Sequence, residues 1–299
     1  MLGIGDQLVG ISADSDWPAE VARRLPVLNT VSIDTSSLSS KEIDAAASAE
    51  GHSGVSLYHV DPDLLRELGP ELILTQETCE VCAVSRGDVE LATRTLGYTP
   101  RVVSLGAVTL DQVLEDIGTL ARAADVREEA VRRAEQPLRE RLERVRTRAA
   151  DAPRPRVFCM EWLDPPYTAG HWMPEMVAIA GGRDELGTDG GPSRRIEWDD
   201  VLAYAPDAIV LIPCSLSLER VASEFELLRA LPGWDELRAV QTGRVYAGNT
   251  QLFSRSGPRL VDGVEALARM LHPDRFAEPL PPNQALRVSA DRTHLEPYR

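Results

Sequence analysis

Short apolar runs alternate with helix-period segments along most of the chain. In the first hundred residues, 7-QLVGIS-12 reads as a strand, 41-KEIDAAASAEG-51 and 61-DPDLLRELGP-70 as helices, and 71-ELILTQ-76 as a strand. A helix follows over 87-GDVELATRTLG-97, stopped by Gly97, and then a strand over 101-RVVSLG-106. Strands separated by helices predict parallel pairing through βαβ units. From Thr109 to Ala150 the pattern is helical throughout, with a break near Asp125. Its apolar residues Val131, Leu138, Leu142 and Val145 recur at spacings of three, four or seven. Such a segment between two α/β halves reads as a rigid spacer, or more plainly as a coiled-coil arm.

The second half repeats the alternation. Strands are predicted over 156-RVFCMEW-162, 207-DAIVLIPC-214 and 243-GRVYAGN-249. Helices are predicted over 172-WMPEMVAIAGG-182, 199-DDVLAYAP-206, 217-SLERVASEFELLRALPGW-234 and 257-GPRLVDGVEALARMLHP-273. The fold class is therefore α/β: two parallel-sheet lobes joined by a single long helix, with no long antiparallel sheet. The lobes span 1–108 and 151–273, the linking helix 109–150, and a proline-rich tail 274–299 is expected to pack poorly.

The 299 residues suffice for two such cores. A formal net charge of −15 argues against a nucleic-acid partner. Lys41 is the only lysine in the chain. No apolar run is long enough to span a membrane. The opening MLGIGDQLVGISADSDWP has no basic region, long apolar core or small-residue cleavage site, so the chain as written reads as cytoplasmic, with reduced cysteines. No Ser-His-Asp order, phosphate loop, HExxH motif or glycosidase-like carboxylate pair stands out, and no catalytic residue is singled out. The glycine-rich 187-GTDGGPS-193 reads as a loop.

Six ordered segments resemble the substrate-binding proteins for cobalamin and iron chelates, the helical-backbone metal receptors. They are 9-VGISADSDWP-18, 71-ELILTQ-76, the long helix, 161-EWLDPPYTAGHWMPEMVAIAGG-182, 200-DVLAYAPDAIVL-211 and 252-LFSRSGPRLVDGVEALARMLHP-273. The resemblance implies a ligand held in a cleft between the lobes, bound without catalysis: a cobalamin-like corrinoid or a related metal chelate. In open parallel sheets ligands sit beyond the carboxyl ends of the strands. The candidate ligand-binding residues there are Asp16, Trp17, Gln76, Trp162, Tyr167, His171, Trp172 and Phe253. Flat aromatic faces suit a wide macrocycle; the plain alternative is that they pack lobe edges. An ABC-type permease is the implied partner of an exported form, with Glu42 and Asp199 as candidate docking carboxylates. The family's first strand is missing, which predicts QLVGIS at an exposed sheet edge.

Cys79-x-x-Cys82 follows one strand and Cys214 another. With His171 they form a candidate site for zinc or an iron–sulfur cluster, the basis of an alternative reading as a cytoplasmic metal protein or enzyme. A redox pair, a direct thiol contact to cobalt, and simple packing stay open beside it. Cys159, inside a strand, reads as core. Ser85 and Asp88 read as a helix start. His52, His59, His272 and His294 read as surface residues.

Overall fold

The computed structural model describes residues 1–33, 35, 37–53, 57–78, 84–94 and 96–298. Two compact units emerge, Met1–Ala107 with Glu115–Glu135, and Val108–Leu114 with Gln136–Arg299. The predicted linking helix is thus divided between the units rather than forming a separate domain. It is also two helices, α5 (Leu110–Ala123) and α6 (Glu128–Ala149), rather than one. Asp125 supplies the break, adopting φ 53°, a left-handed backbone that Asp tolerates better than most residues. The Val126 amide then donates back to the Ala121 carbonyl, closing the end of α5 as a Schellman-type turn.

The first unit also holds α1 (Ala19–Ala22), β1 (Asn29–Val31), α2 (Ser40–Ser53), β2 (Tyr58–Val60), α3 (Pro62–Leu68), β3 (Leu72–Gln76), α4 (Arg86–Thr93) and β4 (Arg101–Leu105). β3 and β4 pair in parallel as the pattern predicts, whereas β1 and β2 pair antiparallel. The segment 7–12 does not form the predicted strand. Within it only Ile11 makes an isolated bridge, to Val27, while Leu8 and Val9 are exposed. Helix starts follow their side chains. Asp61 accepts from the amides of Asp63 and Leu64, and Gly69 closes α3 at φ 57°. Ser85 and Asp88 form the reciprocal box read from the sequence. Exposed Lys41 and Glu42 lie in the first turn of α2, where Glu42 accepts from the Ser39 amide and hydroxyl.

The second unit is built on β5 (Val157–Trp162), β6 (Tyr167–Thr168), β7 (Arg194–Arg195), β8 (Ala208–Leu211), β9 (Val245–Gly248), β10 (Ala285–Val288) and β11 (Leu295–Pro297). Their order is β11-β10-β9-β8-β5-β6-β7. The centre β5, β8 and β9 is parallel, but both flanks are antiparallel, so this sheet is mixed rather than purely parallel. Val157–Met160 and Ala208–Leu211 are completely or almost completely buried, as expected of central parallel strands covered on both faces. Burial contributes about 1.5–3 kcal/mol for each large apolar side chain.

The covering helices are α7 (Met173–Ile179), α8 (Trp198–Tyr204), α9 (Leu218–Ser223), α10 (Phe225–Arg229), α11 (Arg238–Gln241) and α12 (Leu260–Leu271). α12 buries Leu260, Val261, Val264 and Leu267 completely. It approaches the short turn Thr250–Leu252 so closely that a Cβ on Gly263 would overlap the Leu252 carbonyl. α6 is tied to α12 by Arg141, whose guanidinium donates to Asp262 and to both oxygens of Glu265.

Two expectations are corrected in this unit. The tail is packed: Phe276, Leu280, Ala285, Val288 and Leu295 are buried, and β10 and β11 extend the sheet beyond β9. Pro279, Pro281 and Pro282 fall before β10, where they remove no ladder donor, and Pro297 is the last residue of the edge strand β11. His272 is buried rather than on the surface, its Nε2 3.3 Å from the Gly181 carbonyl.

Candidate functional site

Because β5, β8 and β9 run parallel and adjacent, their carboxyl ends bring three loops together on one side of the second unit. The Ile212 amide donates to Met160 and the Cys214 amide to Glu161, stitching the end of β8 onto that of β5. Trp162 is in register with Tyr167 across the β5–β6 bend, and both are half-buried.

His171 is placed by an unusual backbone. It adopts φ 53°, uncommon for a non-glycine residue. Two hydrogen bonds fix it: its amide donates to Gly191 and its carbonyl accepts from Gly190, at 2.6 and 3.0 Å. Gly170 makes the approach possible, since a Cβ there would overlap backbone atoms of Gly191, Pro192 and Ser193. The glycine-rich loop of the sequence is thus the clamp that orients His171. Burial pushes the imidazole below its ordinary value, so it is neutral at pH 7, and its Nδ1 has no partner among the described residues. A neutral imidazole is the form that can coordinate a metal, and here Nδ1 is itself buried.

Trp172 and Phe253 are packed inside the unit, 5% and 1% exposed. The indole N–H of Trp172 donates to the Phe253 carbonyl, and Phe253 fills the space beside Gly248, where a Cβ would overlap its ring. They support the ground beneath His171, whose ring centroid is 5.8 Å from that of Trp172.

Cys214 is half-buried, its sulfur 3.7 Å from the Ser215 hydroxyl. Cys79 and Cys82 lie outside the described residues. Among the described residues no group of three His, Cys, Asp or Glu side chains is arranged to hold a metal ion. Cys159 is fully buried, as its place in a strand predicts. In the first unit Trp17 is exposed, Asp16 half-buried, and the Gln76 carboxamide accepts from the Thr78 amide at 2.7 Å.

Sequence reasoning passed over Asp184. Its Oδ1 accepts from Leu186 and Gly187 and its Oδ2 from the Cys159 amide, while the Cys159 thiol also bonds to it. Desolvation raises its carboxyl to about 6 against the opposing pull of these hydrogen bonds. The same surroundings, burial first and the Asp184 charge second, keep the Cys159 thiol protonated. The spacing Asp184-x-x-Gly187 is the signal that marks such an Asx-type turn.

Several known proteins are similar over nearly the whole chain. A vitamin B12-binding protein of Vibrio cholerae is 26% identical over 273 residues, covering 90% of this chain and 83% of that protein. An ABC transporter substrate-binding lipoprotein of Bacillus subtilis is 25% identical over 283 residues, covering 93% and 77%. Among solved structures, a periplasmic heme-binding protein of Pseudomonas aeruginosa superposes with a TM-score of 0.70 at 22% identity, covering 97% of this chain and 92% of that one. The periplasmic vitamin B12 binding protein of Vibrio cholerae superposes with a TM-score of 0.63 at 23% identity, covering 90% of each chain. These relatives are periplasmic proteins or lipoproteins, and they overturn the cytoplasmic expectation drawn from the opening residues. The family model described as "Periplasmic binding protein" matches residues 1–252, and the chain belongs to that family.

Proposed function

We propose that the protein binds a cobalamin-like corrinoid, or a related metal-chelate macrocycle, without transforming it, and delivers it to an ABC-type permease. The observation that carries this reading is the group Trp162, Tyr167 and His171 at the carboxyl ends of the central strands. It pairs two half-buried aromatic residues with a half-buried, neutral imidazole. The similarity to vitamin B12-binding proteins supports a corrinoid as the first ligand to test. Asp16, Trp17 and Gln76 of the first unit are proposed as further ligand contacts. Exposed Glu42 and Asp199 are proposed as the carboxylates that meet arginines of the permease.

Equilibrium dialysis against cyanocobalamin, hydroxocobalamin and hemin tests the proposal. Hydroxocobalamin has an exchangeable axial position, so its visible spectrum is expected to shift on binding and the shift to be lost in His171→Ala. Failure of all three probes to bind more tightly than about 1 mM would overturn the reading.

A further inference from the structure

We propose that Glu175 is a positioning residue that couples the turn carrying His171 to the first turn of α5. Thr109 caps α5: its carbonyl accepts from the Val113 amide and its hydroxyl from the Gln112 amide. The Gln112 carboxamide reaches back to the Val108 and Thr109 amides, completing a reciprocal box. The Leu110 amide is served from elsewhere. Glu175 of α7, 65 positions along the chain, accepts from it at 2.7 Å. A half-buried carboxylate here also complements the positive end of the helix dipole. Leu110, Val113 and Leu114 are buried, and Asp111 pairs with Arg139 of α6, so this turn is fixed on several sides.

The same carboxylate is carried by the element that His171 begins. Trp172 follows His171 directly and is the cap of α7. The Met173 amide donates to Gly170 and the Met176 amide to Trp172, so Glu175 stands one helical turn beyond His171 on a hydrogen-bonded segment. A second route closes the circuit. The Gly190 amide donates to the His171 carbonyl, and a Cβ on Gly190 would touch the Thr109 methyl at 3.9 Å. A Cβ on Gly187 would meet Pro174, the neighbour of Glu175, at 3.0 Å. The turn around His171 and the first turn of α5 thus meet at two places, Glu175 with Leu110 and Gly190 with Thr109. From Glu115 onward α5 belongs to the first unit, so Glu175 ties the candidate ligand site to the helix that leaves the second unit.

Local openings that share contacts are linked, and the linkage is reciprocal. Loss of the Glu175 acceptor is therefore expected to loosen both turns, not α5 alone. A helix cap lost to alanine shifts the local equilibrium by about fivefold.

The consequence for ligand capture rests on the reading proposed above. In Glu175→Ala hydroxocobalamin is expected to bind about fivefold more weakly, with its spectral shift unchanged at saturation. Parental affinity would overturn that consequence, whereas a wild type that binds no corrinoid would overturn the ligand reading alone.

The coupling itself is tested on ligand-free protein by amide hydrogen exchange. Gln112 and Val113 report on α5, His171 on its turn, and Ile209 and Val210 of β8 on the unit as a whole. In Glu175→Ala protection is expected to fall about fivefold at Gln112, Val113 and His171 and to hold at Ile209 and Val210. Glu175→Gln keeps an acceptor oxygen and is expected to restore most of the protection at all three. If Glu175→Ala does not fold, Glu175→Asp, with its carboxylate drawn back by one carbon, carries the same comparison. A fall at Gln112 and Val113 with His171 unchanged would make Glu175 a cap only and overturn the coupling. Equal falls at all five amides, or none anywhere, would overturn it as well.

Discussion

The indole nitrogen of Trp172 lies 2.6 Å from the carbonyl oxygen of Phe253, eighty-one positions away in the chain, and both residues are buried. This bond joins the start of α7 to the loop after β9 beneath the turn that carries His171. Trp172→Phe keeps most of the ring but orphans that carbonyl, and is expected to cost about 1–3 kcal/mol in urea denaturation. Trp172→Ala adds a cavity and is expected to cost about 3–5 kcal/mol. If Trp172→Phe were as stable as the parent, the hydrogen bond would have no energetic role.

Gly263 lets α12 lie against the Leu252 carbonyl. Gly263→Ala would raise helix propensity in isolation, yet here the added methyl has no room. A net loss of about 1–3 kcal/mol is expected, visible as a lowered denaturation midpoint at unchanged slope.

Arg141 carries two carboxylates of α12 at once, and those hydrogen bonds hold its guanidinium well above the ordinary range. Arg141→Ala leaves Asp262 and Glu265 facing one another, and a loss of about 1–3 kcal/mol is expected. Because the groups are partly solvent-accessible, the loss should shrink with added salt. Salt-independent destabilisation would point to lost packing of the arginine stem instead.

His272 gives a pH dependence of defined sign. Burial, with Arg244 and Arg275 nearby, depresses its folded-state pKa, although the Gly181 carbonyl opposes the shift. Unfolded chain then binds protons more readily, so its contribution is fully present above about 6.5 and is lost as pH falls below that value. His272→Gln is expected to flatten the thermal midpoint between about pH 6.5 and pH 5, measured against the parent.

Removing residues 274–299 takes away β10 and β11 and bares the edge of β9, together with the contact of Tyr298 on Tyr246. The truncated protein is expected to be less stable and to associate in light scattering, since an unpaired edge accepts another strand. A monomeric truncation of parental stability would restore the poorly packed tail expected from its prolines.

The parts of this fold legible in sequence are those where local chemistry and tertiary environment agree. VFCM and AIVL are apolar throughout because both sheet faces are covered, and Ser85 and Asp88 state their helix start locally. The break near Asp125 could be read because the apolar spacing slips there. The failures have the opposite cause. QLVGIS has strand composition but no partner strand among the described residues, and composition alone does not supply one. The tail reads as poorly packed because its prolines are visible locally, while the pairing of Leu286 with Ala247 is a long-range event. At the candidate site, the strand ends and His171 could be found from pattern and resemblance. The inward turn of Trp172 and Phe253 could not, because an aromatic residue after a strand has the same sequence whether it faces ligand or core. Asp184 was missed because its role depends on Cys159, twenty-five residues earlier.

The placement of the single lysine gives the molecule a chemical handle. Lys41 is exposed in the first turn of α2, and every other basic side chain that is charged at neutral pH is a guanidinium. Among the side chains of residues 1–299, amine-selective reagents should therefore attach a fluorophore or a surface tether at Lys41. An acylation at Lys41 leaves Trp162, Tyr167 and His171 chemically untouched, so dye-labelled protein can report on its ligand without a substitution anywhere in the chain.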